Sequence, residues 1–203
     1  MNQVSSLKKI PKTKRGRLTR EKILRAAEIE FGEKGFHEAA ISGITYRAGV
    51  ALGTFYVYFE SKEEIFRALV TYMSDRTRSW IAERVADAPD RLTAERKGLE
   101  AFIEFVREHK GIYRIISEAE FVANSAFRDH YTSFADAYRE NLMKAGDSGD
   151  IRKGDYEVWS WAIMGMSVFL GMRYAEWDEE TPASRVAETM ADLIANGIGP
   201  KKN

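Results

Sequence analysis

Cysteine is absent from all 203 residues. That excludes disulfides, thiolate nucleophiles and cysteine-ligated metals, and it suits a reducing compartment. There are only four prolines, and they fall between segments of helical periodicity rather than inside them. Long apolar runs are missing too. The most apolar stretch, Val158–Met172, is shorter than the roughly 20 residues of a membrane span, and it reads as a buried helix. Residues 1–20 are basic and polar, so no signal peptide is expected there and the cytoplasm is the expected compartment. Net charge is lacking as well: 31 Lys+Arg balance 31 Asp+Glu.

The charge is unevenly spread. Residues 1–62 hold 12 basic and 6 acidic side chains, whereas residues 63–203 hold 19 and 25. A basic head on an acidic body is expected where one end meets a polyanion. Charge alone is equally compatible with a solvated basic tail.

The apolar periodicity is helical nearly throughout, and no segment alternates as a half-buried strand does. The predicted class is all-α. Residues 1–18 read as a basic flexible arm. Thr19 is a candidate cap for a first helix, with Glu21 in its first turn and Gly35 at its end. Short helices follow at Ile41–Ala48 and Leu52–Phe59. Ser61 and Glu64 form a capping box that opens a long helix, Lys62 to about Ala86. Further helices are predicted at Thr93–His109, Ile112–Ala119, Ser125–Ala145 and Asp155–Trp177. A last one starts near Pro182 and ends near Asn196. Gly146–Asp150 reads as a loop.

The two short helices meet at Ala48-Gly49-Val50, a turn in which Gly49 can adopt a left-handed backbone. With the helix before them they make a three-helix helix-turn-helix domain over 19–61, and its last helix is narrow enough for the DNA major groove. The run Arg47-Ala-Gly-Val-Ala-Leu-Gly-Thr-Phe-Tyr-Val-Tyr-Phe-Glu-Ser-Lys-Glu-Glu-Ile-Phe66 resembles the signature of the TetR family of repressors. So does Ile23-Leu-Arg-Ala-Ala-Glu-Ile-Glu-Phe-Gly-Glu-Lys-Gly-Phe36. The resemblance implies that Gly53 lets the backbone approach phosphates, and that Thr54, Tyr56 and Tyr58 offer hydroxyls to bases or phosphates. It further implies that Phe55 and Phe59 anchor the helix in the core. Lys62 would meet a phosphate with its ammonium and its helix N-terminus. Ser42 would touch DNA from the first short helix.

The chain departs from the family pattern in places. Ala40 and Ala51 stand where a capping Ser or Thr is common, and at Ala51 a phosphate contact would be lost with the cap. Leu52 and Val57 replace polar or aromatic residues. The recognition helix therefore has no Arg, Lys, Asn or Gln for bidentate base reading. Leu52 and Val57 are left to touch thymine methyls. The arm, with Lys8, Lys9, Lys12, Lys14, Arg15 and Arg17, can add phosphate or minor-groove contacts, with Arg15 and Arg17 the strongest candidates.

Residues 62–203 read as a helical domain for ligand binding and dimerisation. Their large apolar side chains suit a core or a cavity lining, and periodicity does not separate the two. The family resemblance raises the pocket reading, with Phe102, Phe105, Ile116, Phe121 and Trp161 as lining candidates. A second resemblance is to TetR members that answer to acyl-CoA thioesters. It rests on Gly111–Phe121, Phe127–Tyr131 and Phe169–Tyr174, and it implies an acyl tunnel with Arg114, Arg128 or Arg173 at its mouth. Another aromatic or lipophilic compound, as for a drug-efflux regulator, is the alternative. Val186, Met190, Leu193 and Ile194 form a stripe suited to a two-fold dimer, and Gly165 and Gly171 allow close helix approach. Such a dimer would bind a palindromic double-stranded operator.

No catalytic residue, cofactor or metal is expected. A nucleotide-binding glycine loop, a nucleophile elbow and a metal motif are all missing. Glu118, Glu120, His109 and His130 have no metal-ligand spacing and read as surface or ion-paired groups.

Overall fold

The computed structural model describes residues 11–198. They form nine α-helices and a short π-helical stretch, without a strand. The helices are α1 (Lys14–Glu38), α2 (Ile41–Ala48), α3 (Leu52–Tyr58), α4 (Lys62–Val85), α5 (Arg91–Glu108), α6 (Ile112–Val122), α7 (Asn124–Ser148), α8 (Tyr156–Gly171) and α9 (Ala183–Asn196). No described helix is long and apolar enough to cross a membrane. The chain divides into two compact units, and both dividing points on the chain's first and last crossings fall inside α4 and α7.

The first unit comprises residues up to Ser74 and Gly111–His130. Its helix α1 starts at Lys14, earlier than expected. Thr13, rather than Thr19, is the cap, with its hydroxyl accepting from the Gly16 N–H at 3.1 Å. Thr19 lies inside the helix and donates back to the Arg15 carbonyl. Arg15 and Arg17 therefore sit on a helix, whereas Lys8 and Lys9 lie outside the described residues. Ile23, Leu24, Ala27 and Phe31 form the buried face of α1. Gly35 breaks the helix at φ 76°, a conformation that favours glycine. Phe31, Phe36 and Phe66 then meet with ring centroids 5.0–6.0 Å apart. Each such pair adds about 0.5–1.5 kcal/mol beyond its buried area.

Helix α6 packs on α1 in this unit. Its buried face is Ile112, Ile115, Ile116 and Ala119, an i, i+3, i+4, i+7 set. The contact is close because Gly32 and Gly111 face each other. A Cβ on Gly111 would lie 2.6 Å from the Gly32 Cα.

The second unit comprises Asp75–Lys110 and the chain from Tyr131. Helix α5 buries Leu99, Ile103, Phe105 and Val106 and packs on α8 and α9. The helix predicted through Trp177 turns π-helical over Met172–Trp177. The Arg107 guanidinium donates to the carbonyl of Tyr174, within that stretch, and to that of Thr181 beyond it, at 2.8 and 2.7 Å. Gly146–Asp150, read as a loop, is partly helical, since α7 continues to Ser148 before Gly149 turns at φ 81°. The stripe assigned to the dimer surface is split. Val186 and Met190 are buried within the unit, and Leu193 remains exposed.

Candidate nucleic-acid interface

The interface starts at Gly49, which adopts the left-handed conformation, φ 56° and ψ 43°. Its N–H donates to the Thr45 and Tyr46 carbonyls, closing α2, and the chain turns into α3. Neither Ala40 nor Ala51 makes a side-chain cap bond, so α2 and α3 begin without that stabilisation. Tertiary contacts hold them instead. Phe55 and Phe59 are buried, their rings 5.7 Å apart. Glu30 is buried on α1 and accepts from Arg47 Nε at 2.8 Å and Lys34 Nζ at 2.7 Å, and Arg47 also pairs with Glu33. Gly43 leaves room for that carboxylate, since a Cβ there would be 2.2 Å from Glu30 Oε1. Burial pushes the Glu30 carboxyl up. Hydrogen bonds from Lys34, Arg47 and the Ala40 backbone outweigh this and hold it below the usual carboxylate range.

The opposite face of α3 is open. Leu52, Tyr56 and Val57 are each more than half exposed, at i, i+4 and i+5 of one helix. Ala51 and Gly53 are exposed beside them, and Thr54 and Tyr58 are half-buried. An added Cβ on Gly53 would meet nothing within 4 Å, so packing within the chain does not require glycine there. Ser42 on α2 is exposed, and Tyr46, one turn on, is 88 % exposed. Tyr46 was missed in the sequence, although its i+4 relation to Ser42 puts both on one face. Lys62 Nζ donates to the carbonyls of His37 and Ala39 at 3.1 and 3.0 Å and lies over the Phe36 ring. Its ammonium thus joins α4 to the end of α1, in addition to any outer contact. Ser61 caps α4 by accepting from Glu64 N–H at 3.1 Å, while the Glu64 carboxylate reaches the N–H of Glu60.

The five ligand-lining candidates are distributed over both units. Ile116 is buried in the first unit, and Phe121 is 85 % exposed there. In the second unit Phe105 is buried against Trp80 and His109. Phe102 is half-buried, and Trp161 is partly exposed with its indole N–H on Glu157. The structure thus places two of them in one unit and three in the other. Arg114 donates to the Glu33 carbonyl at 2.7 Å, and Arg173 pairs with Asp178 at 3.5 Å. Arg128 is exposed. Among the described residues no group of His, Asp and Glu could hold a metal ion.

An all-helical chain with a glycine-cornered helix pair, whose second helix exposes small and aromatic residues, has the form of a helix-turn-helix DNA-binding protein. Comparison with known proteins agrees. Residues 23–69 match the model of bacterial regulatory proteins of the tetR family. The uncharacterized HTH-type transcriptional regulator YdgC of Bacillus subtilis is 30 % identical over 190 residues, 91 % of this chain and 95 % of that one. The chain belongs to the tetR family and is a transcriptional regulator, not an enzyme. The HTH-type transcriptional activator FasR of Mycolicibacterium smegmatis is 31 % identical over 103 residues, 51 % of this chain and 47 % of that one. The fold is shared with the transcriptional regulator FadR from Bacillus subtilis, crystallised with stearoyl-CoA. That likeness has a TM-score of 0.76 at 19 % identity and covers 88 % of this chain and 99 % of the other.

Proposed function

We propose that this regulator is a cytoplasmic homodimeric repressor that binds a palindromic operator and is released by a lipophilic effector, a long-chain acyl-CoA. The exposed face of α3 carries the DNA reading: two large apolar side chains and a tyrosine lie in water around a glycine that the fold does not need. In this reading residues 19–61 grip DNA and residues 62–203 sense and dimerise. Leu52 and Val57 contact thymine methyls. Thr54, Tyr56, Tyr58, Ser42 and Tyr46 offer hydroxyls. Ala51 and Gly53 let the backbone reach phosphates, and Arg15, Arg17 and Lys62 add positive charge. The exposed Val158, Trp161, Phe169 and Leu193, with open space around Gly165, suit a helix-on-helix dimer. Two recognition helices would then lie about 34–36 Å apart, one turn of DNA.

The effector reading is supported by FadR, whose crystals hold stearoyl-CoA. Another lipophilic or aromatic compound is the alternative. A ligand that prefers the state with recognition helices out of register releases DNA by its differential affinity alone. Activation is the second reading, since FasR is an activator. The test is fluorescence anisotropy on upstream DNA with and without stearoyl-CoA, followed by transcription in vitro from the same DNA. Release by the thioester together with higher transcription supports the repressor. Lower transcription on release supports an activator, and unchanged DNA binding removes the acyl-CoA.

A further inference from the structure

The cations of the first unit are unequally occupied. Arg25 pairs with Glu21 at 2.6 Å, and Glu30 holds Lys34 and Arg47. Arg17 turns back to donate to the Lys12 carbonyl at 2.9 Å, and Lys62 donates to the carbonyls of His37 and Ala39. The Arg20 guanidinium lies over the Phe59 ring. Lys14, Arg15 and Lys22 differ from all of these. Each is exposed, and its side chain makes no ion pair or hydrogen bond among the described residues. With Leu18 and Thr19 the three line one shallow concave stretch of α1. Positions i, i+1 and i+8 fall on one side of a helix. No acidic residue stands three or four places from any of them, so α1 itself offers nothing to neutralise the stripe.

One end of the stripe reaches the recognition helix. A Cβ on Gly49 would lie 3.5 Å from Lys22 Nζ, so this ammonium stands at the corner between α2 and α3. From there the stripe runs about 12 Å along α1 to Lys14, at 1.5 Å per residue. Duplex DNA presents a phosphate about every 3.4 Å of axis on each strand. A row of unpaired cations of that length, beginning at the corner that leads into α3, is complementary to several phosphates. Contacts of this kind position a protein on the duplex and carry no sequence information. We propose that Lys22, together with Lys14 and Arg15, binds the phosphate backbone of one DNA strand beside the bases that α3 reads. The inference rests on the proposed DNA reading by α3. Lys22 anchors the corner and selects no base. Its place well inside the first helix, beyond the basic arm, kept it from standing out in the sequence.

Fluorescence anisotropy of the full chain at a series of salt concentrations tests it, on the upstream duplex and on a random duplex of equal length. Lys22→Met should lower the slope of log affinity against log salt by about 1 on both, and Lys14→Met/Arg15→Met/Lys22→Met by about 3. At about 0.15 M salt the single variant should bind about fivefold more weakly. The preference for upstream over random DNA should stay the same. Lys144→Met, which removes an exposed charge from α7 in the second unit, should leave the slope unchanged. Thermal unfolding checks the fold of each variant, and Lys22→Met alone decides if the triple variant does not fold. A wild-type protein that binds neither duplex overturns the DNA reading and this inference together. DNA binding with one common slope in wild type and Lys22→Met overturns the phosphate stripe alone. So does an equal loss of slope in Lys144→Met, which would be an effect of net charge, or a lost preference for upstream DNA in Lys22→Met, which would be base reading.

Discussion

The backbone N–H of Phe36 donates to Glu118 Oε2 at 2.7 Å, so a carboxylate from α6 closes the turn that follows α1. The turn is left-handed at Gly35, where a side chain would also strike Glu118. One charged hydrogen bond thus joins residues 82 apart in the chain. Bonds of this kind contribute about 1.5–3 kcal/mol. Glu118→Ala is expected to lower the stability of the folded chain by about that amount, read as a fall in the urea midpoint.

The Gly32–Gly111 crossing makes a sharper prediction. Gly111→Ala places a methyl 2.6 Å from a backbone atom of α1, where no flexible side chain can yield. Overpacking costs typically about 1–3 kcal/mol. Gly149→Ala sits in open space but at φ 81°, and its cost comes from backbone strain alone. Thermal unfolding of the two variants separates crowding from strain, with Gly111→Ala expected to be the more damaging.

Gly53→Ala should move stability and DNA affinity in opposite directions. The methyl meets nothing in the chain, and alanine stabilises a helix by about 0.5–1 kcal/mol over glycine. Melting temperature should therefore rise. On the proposed interface the methyl stands between backbone and phosphate, so operator affinity should fall at least tenfold. Unchanged affinity in Gly53→Ala would remove that residue from the interface.

Glu30 predicts an acid limb of stability. Its folded carboxyl lies below the usual range, held by Lys34 and Arg47 against the opposing effect of burial. The stabilisation is complete above the unfolded carboxyl pKa and is lost as pH falls through the folded one. Glu30→Gln should destabilise the protein at pH 7, by about 1–3 kcal/mol for a buried charged hydrogen bond lost. The loss relative to wild type should shrink as the pH falls below 4. Urea titrations at several pH values check this.

Arg15 and Lys62 predict different salt behaviour. Arg15 has an ordinary place on the first turn of α1, so Arg15→Ala should reduce the salt slope of DNA binding by about 1 and leave stability unchanged. Lys62 also holds the carbonyls of His37 and Ala39. Lys62→Met should therefore lower the melting temperature as well as the salt slope.

Helix periodicity, glycine corners and the basic head carried the all-α class, the helix pair at Ile41–Ala48 and Leu52–Tyr58, and the buried roles of Phe55 and Phe59. Those features are local: a 3.6-residue repeat and a left-handed glycine are written within a few residues of each other. The start of α1 was misplaced because Thr13 and Thr19 are both competent caps, and the sequence does not say which hydroxyl finds a free N–H. In the π-helical stretch at Met172–Trp177 the Tyr174 carbonyl accepts from Arg107, 67 residues away in the chain and out of reach of any local pattern. Glu118 and Glu120 read alike in sequence, yet Glu118 caps the turn at Phe36 and Glu120 is exposed. Glu95, buried on α5, gave no signal at all, since a charged residue on a helix reads as surface. The sequence by itself determined where helices form and which family they build, because backbone preference and apolar spacing act over one or two turns. Only the tertiary structure decided which carboxylates are buried, which arginines are spent on carbonyls, and which cations are left for a partner, because those follow from contacts between residues far apart in the chain.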